Sequence, residues 1–228
     1  IVSLPASALA FDSTAADVHA FDILTGELLW VFHVIPRPGE PGRETWPDDP
    51  DARWGGGQNW TGSTVDAERG IVYIPTGTAR YDFYGANRHG DNLYANSIIA
   101  LDARSGERLW HYQTVHHDLW DRDLPAPANL VTVTHEGKRI EAVAQITKSA
   151  YVFLFDRETG EPIWDITEMP VPQTDVPGEW TSPTQPIPSK PAPFDRQGIT
   201  QDDLIAFTPE VKAKALEAVQ PYRLGPLY

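Results

Sequence analysis

The chain has 228 residues, 41% of them hydrophobic, and its 32 acidic against 18 basic side chains give a formal charge of −14. That is enough apolar material for a core and argues against general disorder, while the negative charge excludes a nucleic acid as partner on long-range repulsion. The absence of cysteine excludes disulfides, thiolate metal sites and cysteine nucleophiles.

The first predicted element is a hairpin at 20–30, AFDILTGELLW, and the phrase returns as ALDARSGERLW at 100–110 and LFDRETGEPIW at 154–164. Asp22, Asp102 and Asp156, followed by a Gly and a Trp at fixed offsets, stand 80 and 54 residues apart. Each copy predicts a strand ending at the Asp, a Thr-Gly or Ser-Gly turn tolerant of positive φ, and an outer strand begun by Trp30, Trp110 or Trp164. Regular hairpins closed by a large aromatic, with unequal insertions between them, predict an all-β fold: a β-propeller of antiparallel blades.

Between the copies, residues 36–58 are rich in Pro, Gly and Asp and read as a long loop. Strands are predicted at 70–75, 97–100, 130–134, 140–145 and 151–155, with turns at 66–70 and 135–138. Residues 170–193 are proline-rich and read as extended. The run Thr200-Gln-Asp-Asp is expected to cap a short helix, and Thr208 to cap another with Pro209 in its first position.

The organisation expected is a partial propeller over 1–180, and over 181–228 an extended segment with short helices inserted in the same domain. About three blades are visible where a propeller has about four to eight, so the ring cannot close from these residues alone and the isolated chain is expected to be aggregation-prone. It begins at Ile1 and its one methionine is Met169, so it is expected to be a piece of a longer protein. No apolar stretch approaches the roughly 20 residues of a membrane helix.

Chemistry concentrates in WHYQTVHHDLWDRDLPAP at 110–127, which holds His111, His116, His117, Asp118, Asp121 and Asp123. A connecting loop with solvated carboxylates and packed histidines is one reading. A His/Asp metal site is another, since imidazole and carboxylate suit zinc, iron or manganese. The adjacent His116 and His117 would point to opposite sides of an extended segment, so a carboxylate serving a hard cation is easier to build than a shared His site.

The runs SIIALDARSGERLWHYQTVHHDLWDRDLPA, QITKSAYVFLFDRETGEPIW and PVPQ…EWTSPTQP closely resemble the pyrroloquinoline quinone (PQQ) dependent dehydrogenases. The likeness covers about residues 18–185 and is nearest the membrane-associated glucose, quinate and polyol branch. It implies an eight-bladed propeller in which each repeated Trp packs on a neighbouring blade. It also implies a periplasmic oxidoreductase that takes a sugar, polyol or alcohol hydroxyl and passes electrons to a quinone or cytochrome of the respiratory chain. Membrane association would act through segments outside this chain.

By the same resemblance Asp121 would be the catalytic base and a ligand of calcium or magnesium, Lys148 would hydrogen-bond the quinone oxygens, and Trp60, in GGGQNW, would stack on the planar cofactor. A carboxylate beside a cation can accept the hydroxyl proton, and an ammonium can stabilise charge on the reduced quinone. Gly55, Gly56 and Gly57 would let backbone approach closely. Alcohol-oxidising members place an asparagine metal ligand where Thr78 stands here. They also carry a vicinal cysteine pair, and its absence tilts the substrate toward sugars, polyols or cyclic acids. A non-catalytic propeller scaffold and an inactive, truncated quinoprotein are the competing readings.

Overall fold

The computed structural model describes residues 1–3, 13–49 and 54–228. Residues 50–53 of the loop expected at 36–58 lie outside these, as do 4–12 of the first unit. Strands β1 (Val2–Ser3), β2 (Val18–Phe21) and β3 (Leu28–Phe32) form a three-stranded sheet. A four-stranded blade follows, in sequence order: β4 (Thr64–Asp66), β5 (Ile71–Pro75), β6 (Ser97–Asp102) and β7 (Arg108–Gln113). The next sheet holds β8 (Asn129–His135), β9 (Lys138–Ile146) and β10 (Val152–Asp156).

The repeated phrase folds as its residues dictate. Asp102 Oδ1 accepts the amides of Arg104 (2.9 Å) and Ser105 (2.8 Å), and Asp22 and Asp156 bond their own turns at the same offsets. The turn then closes through a glycine at φ 74, 75 and 74° in the three copies, a left-handed conformation that a side chain would strain. In the first two copies the strands pair in one register, Ala20 with Trp30 and Ala100 with Trp110, with a bulge at the same place.

Each of those tryptophans locks its sheet to the next. Trp30 donates its indole N–H to Ala103 O (3.3 Å) and Trp110 to Arg157 O (3.1 Å). A Cβ on Gly106 would stand 2.6 Å from Trp30, and one on Gly160 2.6 Å from Trp110, so the indoles lie directly on the glycines. The central blade is covered on both faces. Val72, Ile74, Ile99 and Leu101 pack toward Trp30, whereas Tyr73, Ile98 and Ala100 pack toward Phe153 and Phe155 of the following sheet. This explains why β5 reads as an unbroken apolar run rather than an alternating one.

The third copy departs from expectation, because Trp164 lies outside any strand. Its ladder stops after the single bridge Phe155 to Pro162. Pro162 stands where Leu28 and Arg108 pair in the earlier copies, flanked by bonds from Asp156 N to Glu161 O (2.9 Å) and from Ile163 N to Leu154 O (2.9 Å). The chain instead forms β11 (Ile166–Pro170), which pairs with β12 (Thr184–Pro188) from the proline-rich stretch read as merely extended.

The two helical signals near the end of the chain are met. A 3₁₀ turn at Gln201–Asp203 carries a Thr200/Asp203 capping box. Helix α1 (Pro209–Ala218) has Thr208 accepting the Val211 amide at 3.3 Å. Strands β13 (Gly198–Ile199) and β14 (Gly225–Pro226) pair with each other, a small pairing not read from the sequence.

Candidate functional site

Loops from the same end of two neighbouring sheets converge. The segment after β5 brings Thr78, the residues before β6 bring Asn96, the loop after β7 brings Asp118 to Asp123, and the β9–β10 turn brings Lys148. Lys148 Nζ lies 2.9 Å from Asp121 Oδ1 and 2.7 Å from Asp123 Oδ2, and 5.7 Å from the centroid of the Trp60 ring. The three residues singled out from the sequence as base and cofactor contacts therefore meet in one place. Trp60 is 53% exposed, so its ring is open to a ligand rather than buried in the core.

The two carboxylates that share Lys148 are unequal. Burial works against a charge on Asp123, yet hydrogen bonds from Lys148 and from the Thr78 amide (2.7 Å) hold its carboxyl below the usual range. Burial raises Asp121, and the neighbouring charge of Asp123 adds to the rise against the pull of Lys148. Asp121 is thus the more basic member of the pair, as a proton acceptor requires. Burial pulls Lys148 down, but its two carboxylates outweigh this and it stays protonated.

Nearby, burial pushes Asp82 up to about 6 despite its ion pair with Arg80, and the charges of Asp121 and Asp123 contribute. Arg80 and Asp82 carry no signature in the sequence, since the ARYD run follows an ordinary strand; only the fold brings them here.

Other expectations read differently in three dimensions. Thr78 is almost wholly buried, and its hydroxyl is committed to Asp118 Oδ2 (2.5 Å), with Asp123 Oδ1 at 3.1 Å and Asn96 Nδ2 at 3.2 Å. The one hydroxyl hydrogen of Thr78 is thus taken up by these carboxylates, and among the described residues no group of three or more His, Cys, Asp or Glu side chains could hold a metal. Gly55, Gly56 and Gly57 are required for packing: a Cβ at each would fall 2.3 Å from Ser13 O, 2.5 Å from Thr78 O and 2.6 Å from Val34.

The hydrogen bonds of His111, His116 and His117 are made outside the acidic cluster. His116 contacts Gln113 (2.7 Å) and Glu168 (3.1 Å), and His111 contacts Arg108 (2.9 Å). His117 is fully buried, with Nδ1 2.8 Å from Gly90 O.

The residues present do fit a flat, anionic quinone: an open aromatic face, an ammonium above it and a carboxylate beside the ammonium. The sequence family described as the glucose/ethanol/alcohol dehydrogenase β-propeller domain, PQQ, matches residues 3–228. Quinoprotein glucose dehydrogenase of Escherichia coli (strain K12) is 38% identical over 176 residues, covering 76% of this chain and 22% of that protein. The protein of the same name from Gluconobacter oxydans (strain 621H) is 41% identical over 172 residues, covering 74% of this chain and 21% of that one.

Among solved structures, the quinohemoprotein alcohol dehydrogenase from Comamonas testosteroni superposes with a TM-score of 0.61 at 30% identity, over 76% of this chain and 28% of that chain. The chain spans about a fifth of the length of the curated relatives it matches. With its blade joints, its acidic loop and this family match over nearly its whole length, the chain belongs to the β-propeller family of the PQQ-dependent glucose, ethanol and alcohol dehydrogenases.

Proposed function

We propose that this chain supplies part of the active site of a PQQ-dependent dehydrogenase that oxidises a CH–OH group of a sugar, polyol or alcohol. The observation that carries the reading is the meeting of Asp121, Lys148 and Trp60 within one small site. A scaffold has no physical use for a raised carboxylate and an ammonium over an exposed indole.

Bound there, PQQ supplies an electrophilic carbonyl able to take hydride. Trp60 offers the flat face against which a planar ring system stacks. Lys148 holds a positive charge where the oxidant gains negative charge, and its hydrogen bond to Asp121 favours the charged carboxylate and aims it. Asp121 Oδ takes the proton from the substrate hydroxyl. The cation expected alongside, calcium or magnesium, is proposed to meet this chain at Asp121, and no step here is routed through it. The respiratory chain as electron sink and the periplasm as location are part of the same proposal and rest on the family likeness.

The test is Asp121→Asn in the full-length enzyme reconstituted with PQQ and calcium. The amide keeps the shape but cannot accept a proton, so cofactor affinity should largely persist while turnover falls about 10² to 10⁴-fold. Near-normal turnover would remove Asp121 as the base.

A further inference from the structure

Asp118 is 2% exposed, a carboxylate placed where an unpaired charge would be costly. Its oxygens accept from Trp120 N (2.9 Å) and Arg122 N (2.6 Å), the amides on either side of Asp121. Oδ2 also accepts from Thr78 Oγ1 (2.5 Å) and Asn96 Nδ2 (2.9 Å), both from the loops around β5 and β6. Its own carbonyl accepts from the fully buried Arg88 (2.6 Å), which is held in turn by Asn92 (2.8 Å) and Tyr81 O (3.0 Å).

Asp121 sits between the two clamped amides at φ 57°, a left-handed conformation uncommon for a residue with a side chain. Its half-exposed carboxylate reaches the rest of the site through Lys148. The direction of the side chain therefore depends on how the peptides on either side are held. Thr78 joins this arrangement to the other carboxylate, since its hydroxyl reaches Asp118 while its amide binds Asp123.

Resting on the base role given above to Asp121, we infer that Asp118 is a positioning residue that aims Asp121 through the backbone, with Thr78 serving these carboxylates rather than a cation. A sub-ångström turn of the 120–122 peptides would swing Asp121 Oδ1 off Lys148 and away from a substrate hydroxyl. A misplacement of about 1 Å can cost about 10²-fold in rate without weakening binding.

The experiment compares Asp118→Asn, Asp121→Asn and the double variant in the PQQ-loaded full-length enzyme, with amide hydrogen exchange measured on each. Asp118→Asn turns an amide N–H toward donors that need an acceptor. The expected result is a kcat lower by about 10 to 100-fold with KM and PQQ affinity unchanged. Exchange protection should be lost at whichever of Trp120 and Arg122 faces the new amide nitrogen, and kept in β5 to β7. In the Asp121→Asn background the same change should add nothing, because Asp118 acts only through Asp121.

Parental kcat in Asp118→Asn, an undiminished loss in the Asp121→Asn background, or unchanged exchange at Trp120 and Arg122 would each overturn the inference. Should Asp118→Asn fail to fold, Thr78→Val is expected to lose kcat in the same way and Thr78→Ser to restore it. A Thr78→Val enzyme that needs more calcium but reaches parental kcat when saturated would assign Thr78 to the cation and overturn the inference. Near-normal turnover in Asp121→Asn alone would sink the base role instead, and the exchange data would still judge the clamp.

Discussion

Lys148 and Asp121 are 27 residues apart in the chain and 2.9 Å apart in the fold, and the same ammonium lies 2.7 Å from Asp123. Removing Lys148 leaves two adjacent carboxylates without their shared cation. Because Lys148 opposes the rise of Asp121, Lys148→Ala should raise that group further and move the acid limb of kcat/KM to higher pH. PQQ binding should weaken as well. A pH–rate profile of the loaded variant checks this, and an unmoved acid limb would separate Lys148 from the base.

Trp60 is more than half exposed, so Trp60→Ala should leave stability within about 0.5 kcal/mol of the parent, as surface changes do. Its effect should fall on cofactor affinity through lost stacking area. Equilibrium unfolding together with PQQ titration separates the two. A large loss of stability would make Trp60 a core residue.

The blade joints can be measured by three glycines with nearly equal φ. At Gly26 a Cβ meets nothing within 4 Å, so Gly26→Ala should cost only the strain of the left-handed conformation, about 1 to 2 kcal/mol. At Gly106 and Gly160 the same Cβ would enter an indole at 2.6 Å, adding about 1 to 3 kcal/mol of overpacking. Equal losses at all three positions, read from denaturant midpoints, would refute the docking role of Trp30 and Trp110.

His117 gives a pH dependence with a definite sign. Burial, with the charge of Arg88, pulls it down to about 3, so the fold keeps it neutral while the unfolded chain protonates near the ordinary 6.5. Its contribution is complete above pH about 6.5 and drains away as pH falls toward about 3, at up to about 1.4 kcal/mol per pH unit. His117→Asn suits the left-handed backbone at φ 45° and removes the titration. Unfolding midpoints between pH 7 and 4 should therefore fall less steeply in that variant than in the parent, by one proton.

The repeated Asp, Gly and Trp made the blades legible because each does one local job: capping the turn, turning it, and docking on the next sheet. Lys148 and Asp121 were legible from family likeness, but nothing in their spacing shows that they touch. Thr78 was legible only as a residue near a family metal-ligand position; that its buried hydroxyl reaches Asp118 and lies beside Asp123 depends on the fold. Asp118 was visible as one acid among several; which backbone amides it would hold depends on a loop no local pattern encodes. Pro162 was readable as a residue, but that the third ladder would stop after its single bridge was not.

The turn at Gly26 has a practical side. Ile23 is 96% and Leu24 91% exposed there, where the later turns carry Ala103 and Arg104, and Arg157 and Glu158. A net charge of −14 spreads repulsion over the whole surface, but these two side chains put an oily tip on one corner of it. Concentrated preparations should clump less once that corner is made polar. Exchanging Ile23 and Leu24 for the Arg and Glu that the third turn already uses offers a chain better suited to crystallisation and NMR, with the loops around Asp121 untouched.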